Sequence, residues 1–590
     1  MSAPYLGVER SLTGRLWRAR EADDRTALAL AERFDLPEMV GRVLAGRGIG
    51  IDDADSYLDP TLKRLLPDPS HLKDMDAAVA RLSRAITTGE TVAVFGDYDV
   101  DGATSSALLK RFFAAAGGKL VVYIPDRMKE GYGPNAPALL KLKAGGAAVA
   151  VTVDCGITAH EPLAAAKQAG LDVVVVDHHV GELALPPAIA VVNPNRLDES
   201  SPHRQLAAVG VAFLLVVALN RALRKAGWYG AARPEPDLKQ WLDLVALGTV
   251  ADVVPLTGVN RALVRHGLSV LARRGNAGLA ALADVAVLKQ TPAAYHLGFL
   301  LGPRVNAGGR VGEADLGARL LATDDPDEAR KIALHLNDLN RERQEIERAV
   351  LDAAIARVEK MGGPGAVVHV AAEGWHAGVI GIVASRLKDR YARPALVTAI
   401  GEDGVGKGSG RSVAGVNMGA AVIAARQAGL LLNGGGHAMA AGWTVAADKA
   451  EKFTAFIAER LGGKDGAPPR AVIEIDAALQ PSGATVALCG ALAKLEPYGA
   501  GNPRPVFALP SVRVTYANVV GTGHVRCTLI RAGGGRLNAI AFRTADTELG
   551  KALLQRDGPP LHLAGHVNLD TWNGEERVQL VIEDAARVGI

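Results

Sequence analysis

The chain has 590 residues, 49% hydrophobic and 22% charged, a balance that excludes a disordered, fibrous or single-module protein and, at roughly 150 residues per domain, allows about four folding units. Lys and Arg total 66 against 63 Asp and Glu, a net charge of +3, so a polyanion would have to be held by local basic clusters rather than by the field of the whole molecule. Cys155, Cys489 and Cys527 lie far apart with no CxxC pair, which argues against zinc or a disulfide framework and for a reducing, cytoplasmic setting, and no run of about 18 apolar residues points to a membrane span.

Residues 1–85 read as a lead-in segment of short helices, punctuated by LDP at 58–60 and LPDPS at 66–70 and closed by the amphipathic stretch DMDAAVARLSRAI. From residue 91 short β-branched runs alternate with Ala/Leu-rich helical stretches: TVAVF (91–95), LVVYI (120–124), AVAVTV (148–153), DVVVV (172–176) and AVV (190–192). Continuous apolar runs between helices predict strands buried on both faces of a parallel sheet, hence a doubly wound α/β domain over 86–325, mostly helical across 203–290. The charged pattern over 326–360 predicts one long connecting helix. A second α/β domain follows over 361–462, with AVVHVA (366–371) and ALVTAI (395–400), and GGKDGAPPR (462–470) reads as a linker. From 463 to 590 alternating segments such as SVRVTYANVV, HVRCTLIRA, RLNAIAFR and ERVQLVIED predict a small OB-like β-barrel.

The acids fall where these strands end. TVAVFGDYDVDG places Asp97, Asp99 and Asp101 after the first strand, AVAVTVDCG places Asp154, DVVVVDHH places Asp177, His178 and His179, and LVALGTVADVVPL ends an apolar run at Asp252. In a doubly wound sheet the ligand site lies outside the carboxyl ends of the strands, so separate strands deliver carboxylates and imidazoles to one crevice. So many like charges need a cation, and oxygen-rich ligands with one or two imidazoles suit Mn²⁺ or Mg²⁺; six or so ligands suffice for two ions sharing a carboxylate.

Other readings of these residues are weaker. A single Asp after a strand is commonly a helix N-cap. DYDVDG also resembles the opening of an EF-hand, but the twelfth position from Asp97 is Leu108 instead of Glu and a strand precedes it. GEDGVGKG (401–408) has Gly408 where a phosphate-binding loop needs Ser or Thr, and GGGH (434–437) lacks dinucleotide-site spacing.

With DYDVDG, VDCG, VDHH and a downstream Asp in that order, the sequence resembles the DHH phosphoesterase superfamily. GPRVNAGGR (302–310), GWHAGVIGIVASRL (374–387), GSGRS (408–412), GGGHAMAAG (434–442) and EPYGAGNPRPVF (496–507) are similar to segments of its single-stranded-DNA exonuclease branch, from about residue 40 to the barrel. The resemblance implies a metal-dependent 5′-to-3′ exonuclease releasing mononucleotides in DNA repair and recombination. It implies two Mn²⁺ or Mg²⁺ ions held by Asp97, Asp99, Asp101, Asp154, His178 and Asp252, with Asp154 as bridge, His179 on the scissile phosphate and Asp177 orienting an imidazole. The second domain resembles the DHH-associated (DHHA1) domain. Arg127, Arg310, Ser409 and Arg411 match a pocket for the terminal 5′-phosphate, and Arg304, Asn306, Trp375, His376, Gly435, Gly436 and His437 fall in substrate-facing motifs. Single-stranded DNA is the implied partner, with a single-strand-binding protein and a helicase besides. The alternatives are a phosphodiesterase for short oligoribonucleotides or cyclic dinucleotides, and a metal-free scaffold.

Aromatic residues are only 4% of the chain, few for a protein that stacks bases. Tyr132, Trp375, Trp443, Phe507 and Trp572 are the candidate platforms, and Arg504, Arg513, Arg526, Arg531, Arg536 and Arg543 a candidate electrostatic track on the barrel.

Overall fold

The computed structural model describes residues 3–127, 129–461, 471–531, 533–555, 557–570 and 576–589. The expected linker and Trp572 lie outside the described residues. The chain divides into two compact units, one of residues 67–254 and 266–469, the other of 1–66, 255–265 and 470–590.

The first unit opens with β1 (Thr91–Gly96), α1 (Val100–Ala116), β2 (Lys119–Tyr123), β3 (Ala147–Val153), β4 (Asp172–Val176) and β5 (Ala190–Val192). The five strands are parallel in the order β2-β1-β3-β4-β5. Val, Ala and Thr side chains of β1, β3 and β4 are buried almost without interruption, because helices cover both faces, and this is why the runs are continuous instead of alternating. The doubly wound reading is correct, and the order reverses between β1 and β3, where such sheets open a crevice at their carboxyl edge.

Three helices complete this domain around the site: α2 (Ala208–Lys225), α3 (Leu242–Ala251) and α4 (Gly302–Val311). A single 35-residue helix, α5 (Pro326–Lys360), follows, capped where the Asp325 side chain accepts from Asp327 N and Glu328 N. At 1.5 Å per residue it runs about 52 Å. It packs on α4 at one end and on the second sheet at the other.

That sheet comprises β6 (Val368–Glu373), β7 (Ala395–Ile400), β8 (Val405–Arg411), β9 (Asn433–His437) and β10 (Ala440–Ala446), with α6 (Ile380–Tyr391) between β6 and β7. Its order is β9-β10-β8-β7-β6, antiparallel except for β6 and β7. Trp443 of β10 lies across Gly408 of β8, where a Cβ would sit 1.9 Å from the indole. The ring is buried and packs against Phe453 with centroids 5.2 Å apart. Trp443 is therefore core, correcting its candidacy as a base platform.

In the second unit, β11 (Phe507–Val520), β12 (His524–Arg531), β13 (Gly535–Ala541), β14 (Leu561–Asp570) and β15 (Arg577–Arg587) close into a five-stranded barrel. The order β11-β12-β13-β15-β14 closes through β14 on β11, and only β13 and β15 pair in parallel. Closure leaves no free edge. Phe507 is fully buried in this core, another candidate platform corrected; Arg513, Arg526, Arg536 and Arg543 are exposed, and Arg504 lies over the Tyr498 ring at 5.5 Å.

The chain's first 66 residues belong to this unit instead of forming a lead-in of their own. Strand Leu16–Ala19 pairs in parallel with Val472–Ile475, and the fully buried Trp17 donates its indole N–H to Asp584 Oδ2 at 3.0 Å. Leu30, Val40 and Leu44 join the barrel's apolar cluster. The segment 255–265 contributes the buried Arg261, which donates to Tyr57 O at 2.8 Å and Leu495 O at 3.0 Å. By contrast, helix Met75–Thr88 packs on α2 and β5 of the other unit. Among the described residues no helix is long and apolar enough to cross a membrane.

Candidate active site

The acids converge because consecutive elements end at one edge. Asp97 follows β1 directly, and the chain turns back on itself over Gly102, where a Cβ would meet Asp97 O at 2.3 Å. Asp99 caps α1, accepting from Asp101 N at 2.9 Å and Gly102 N at 3.1 Å, so the common capping role and a place in the acid cluster coexist in one side chain. Asp101, fully buried in the first turn of α1, accepts the leading amides of α2, Ala208 N at 2.7 Å and Val209 N at 2.8 Å. Asp154 follows β3 with φ of 61°, a left-handed conformation that a non-glycine residue adopts at a cost and keeps where function holds it. Asp252 caps the C-terminus of α3.

Ligand atoms of Asp97, Asp99 and Asp154 lie within 4.8 Å of one another, as do those of Asp101, His178 and Asp252, and those of Asp154, His178 and His179. His178 Nε2 is 3.3 Å from Asp154 Oδ1, 3.5 Å from Asp252 Oδ2 and 4.0 Å from Asp101 Oδ2. Asp177 faces away from this group: its Oδ1 accepts from His179 Nδ1 at 2.7 Å and from His178 N at 2.7 Å, and its Oδ2 from Ile157 N at 3.1 Å. Tyr132 hangs over the edge, its hydroxyl donating to Asp154 O at 3.2 Å.

Burial first, then the neighbouring carboxylates, drives the Asp97 and Asp154 carboxyls well above the usual range, and lifts Asp101 to about 7 and Asp252 to about 9. Burial also lowers His178 to about 4, reinforced by the charge of His179, so that it is a neutral imidazole. Burial acts on His179 in the same direction, but its bond to Asp177 overcomes this and raises it to about 9. Asp177, although buried, is held at about 2 by the same bond and by both histidines.

The donor set fits divalent cations. Asp97 Oδ1, Asp154 Oδ1 and Asp252 Oδ2 are buried without a hydrogen-bond partner, and unpaired buried carboxylate oxygens are costly unless a cation meets them. Carboxylates with one neutral imidazole match hard, oxygen-preferring ions such as Mn²⁺ and Mg²⁺.

Two positioning residues escaped the sequence reading. Asn193 donates from Nδ2 to His179 O at 2.9 Å, and Asn195 from Nδ2 to His178 O at 2.6 Å. Asn193 lies directly after β5 and Asn195 two residues further on, so the rule that singled out the acids would have found them had amides been counted. Asn193→Ala is expected to lower turnover about 10- to 100-fold with Asp177 and both histidines unchanged; metal titration of activity will show a raised requirement for the ion.

Beside the acids lies a cluster of cations. Arg310 of α4 donates to Gly378 O at 3.0 Å, Arg411 of β8 donates to Ser409 Oγ at 3.0 Å and Gly410 O at 2.9 Å, and Arg127 lies 5.0 Å over the Tyr98 ring. Among the described residues no carboxylate forms an ion pair with these three. Burial lowers Arg310 to about 10, with Arg127 and Arg343 adding like charge, and Arg411 is lowered by burial and by Arg127. Gly309 lets α4 press on the acid loop, since a Cβ would meet Tyr98 O at 2.5 Å, and Gly381 of α6 leaves room beside Arg411 and Ser409. His437 of β9 brings the second sheet in, its ring stacked 6.2 Å from His179.

The remaining predicted residues are engaged within the protein. Arg304 turns to α5, donating to Asn337 Oδ1 at 3.0 Å and Leu300 O at 2.7 Å. His376 Nδ1 accepts from Gly378 N at 3.0 Å, shaping the turn that offers Gly378 O to Arg310. Trp375 packs on the core between α5 and α6, with Arg357 over its ring at 5.9 Å. Asn306 is half-buried on α4, and Gly435 and Gly436 lie in β9, where Gly436 has φ of 149° and a Cβ would meet Ala440 O at 2.4 Å.

Three segments match known families: residues 91–249 the DHH family, N-terminal domain, residues 363–463 the DHHA1 domain, and residues 475–584 the RecJ OB domain. The single-stranded-DNA-specific exonuclease RecJ of Salmonella typhimurium is 37% identical over 96% of this chain and 98% of its own length. That of Escherichia coli is 36% identical over 96% and 98%. Among solved structures, RecJ of Thermus thermophilus in complex with Mn²⁺ superimposes with a TM-score of 0.81 at 30% identity, covering 96% of this chain and 79% of that one, and its complex with Mg²⁺ with a TM-score of 0.76.

Proposed function

The chain belongs to the RecJ family of single-stranded-DNA-specific exonucleases, and from that premise we propose that it hydrolyses single-stranded DNA from the 5′ end to mononucleotides in repair and recombination. The observation that carries this reading is the adjacency of an acid cluster needing cations to the half-buried Arg127, Arg310 and Arg411, which among the described residues form no ion pair with a carboxylate. One accommodates the ions that bind a scissile phosphate, the other the terminal phosphate one nucleotide away.

Asp97, Asp99, Asp101, Asp154, His178 and Asp252 would hold two Mn²⁺ or Mg²⁺ ions, Asp154 being common to two of the three groups of potential ligands. Such ions, when bound, neutralise phosphate oxygens and acidify a water for in-line attack. Asp101 still has free lone pairs after receiving the two α2 amides. Asp177, accepting from His179 Nδ1–H, keeps that ring an imidazolium, whose Nε2–H points outward and donates to the scissile phosphate. Arg127, Arg310 and Arg411 form a fork for the 5′-phosphate with Ser409, and this is what sets polarity. The Gly435–Gly436 backbone allows a sugar-phosphate chain to approach beside His437. His376 shapes the turn whose Gly378 carbonyl receives Arg310.

Three dispersed, buried, free cysteines favour a cytoplasmic setting. A single-strand product of duplex opening calls for a helicase as supplier and a single-strand-binding protein as carrier, the partners we assign to it. Digestion of a long single strand with Mn²⁺, labelled at either end and bearing a 5′-phosphate or 5′-hydroxyl, tests the reading. Early release of the 5′ label as mononucleotide, faster from phosphorylated ends, is expected. Survival of long strands while dinucleotides disappear would overturn it in favour of a small-substrate phosphodiesterase.

A further inference from the structure

The aromatic scarcity noted in the sequence sharpens once the fold is known, because Trp443 and Phe507 are interior. Among the described residues the exposed Phe and Tyr side chains are Tyr132, Tyr295, Phe299, Tyr516 and Phe542. Tyr132 belongs to the active site and Tyr516 and Phe542 to the barrel unit. Tyr295 and Phe299 remain: 61% and 72% exposed, their rings stacked 5.1 Å apart at 23°.

Their place in the fold is specific. Helical residues Ala294–His296 pass into one π turn, Leu297–Leu301, which leads without a break into α4. Leu297 and Leu301 anchor the turn inside while the two rings face out. Turns of this kind recur at functional sites because the extra residue redirects side chains. The turn packs against the last turn of α3: a Cβ on Gly298 would lie 3.4 Å from Val250 Cγ1, and one on Gly302 3.4 Å from Ala251 Cβ. The next residue of that helix end is Asp252. Beyond it Val253 has φ of 62° and is 70% exposed, a strained conformation for a β-branched residue.

Resting on the function proposed above, we infer that Tyr295 and Phe299 form a base-stacking platform for the substrate strand on the 3′ side of the cut. The same helical run carries Arg310 of the 5′-phosphate cluster eleven residues beyond Phe299, the nearer ring, about 16 Å at 1.5 Å per residue. That span is about five nucleotides at the stacked 3.4 Å spacing and fewer in a stretched strand. The rings thus meet bases at roughly the third to fifth nucleotide, whatever their identity, since every base has a π-face.

The test compares wild type, Tyr295→Ala/Phe299→Ala and Tyr295→Trp/Phe299→Trp with Mn²⁺ on a 5′-phosphorylated dinucleotide and a 20-mer, the latter also with abasic sites at positions three to five. The alanine pair is expected to raise KM for the 20-mer relative to the dinucleotide about tenfold, with melting temperature unchanged and the tryptophan pair restored. Abasic sites should raise KM for wild type by a similar factor and leave the alanine variant unaffected. Equal KM ratios in wild type and the alanine pair, or an undiminished abasic effect in that pair, overturn the platform alone. A wild type that cuts neither substrate overturns the function as well.

Discussion

Replacing Asp154 by Ala or Asn lowers nuclease turnover at least about 10³-fold and, in chelator, raises the melting temperature. Both follow from one position. Asp154 contributes to two of the three groups of potential ligands and its Oδ1 is buried without a donor. Removing one fixed electrostatic contact to a developing charge costs about 10²–10³-fold, and a carboxylate shared by two ions serves twice. In the metal-free state the same side chain is burial-stressed and repelled by Asp99, Asp101 and Asp97, so its removal relieves strain. Turnover under saturating Mn²⁺ and calorimetry in chelator check the two halves. Equal melting temperatures for wild type and variant in chelator, with Mn²⁺ stabilising both alike, would sever Asp154 from the ions.

Chelated protein loses stability as pH rises from 6.5 to 9, and Mn²⁺ or Mg²⁺ removes most of that loss. Asp101 at about 7 and Asp252 at about 9 start from 3.8. The folded state therefore binds more protons than the unfolded one above pH 4, and stability falls as pH rises toward the folded values. His179, raised from 6.5 to about 9, acts in the same direction: its contribution is complete below 6.5 and lost as pH passes 9. His178, lowered to about 4, adds stability between 4 and 6.5 and nothing further above that, and Asp177 at about 2 matters only in strong acid. Between 6.5 and 9 every cited group is either falling or silent. Each group contributes up to about 1.4 kcal/mol per pH unit. Melting temperatures at three pH values in chelator, with Asp252→Asn as the flatter control, measure the slope; a rising slope would contradict the cluster's electrostatics.

The sheet and its acids were legible because both follow from the direction of parallel strands: an apolar run must end at the carboxyl edge, and a polar residue there faces the crevice. Asp97, Asp154 and Asp177 obey this rule directly. Asp252 obeys it by another route, as the end of a buried helix. Asn193 and Asn195 obey it too, but amides carry no charge to draw attention. The aromatics were misjudged because a Trp beside glycines reads as a ring over a ligand-facing backbone, whereas in Trp443 and Gly408 the glycine makes room for the ring inside the sheet. Arg304 looked like its neighbour Arg310, yet α4 turns the two apart, one to α5 and one to the cluster. The N-terminal residues carried no local signal of their place, since the pairing of Leu16–Ala19 with Val472–Ile475 spans more than 450 positions.

That pairing also sets an order of events at the ribosome. At about 5–20 residues per second, the partners of Trp17, Leu30 and Val40 emerge last, so these apolar groups wait roughly half a minute or longer while the catalytic unit, whose sequence lies between the two ends, is already complete. The nascent chain thus presents an unfinished hydrophobic surface for most of its synthesis, a natural landing place for a chaperone. Chains released early, before the barrel strands are made, carry that surface permanently and become substrates for proteolysis even though their metal site has folded.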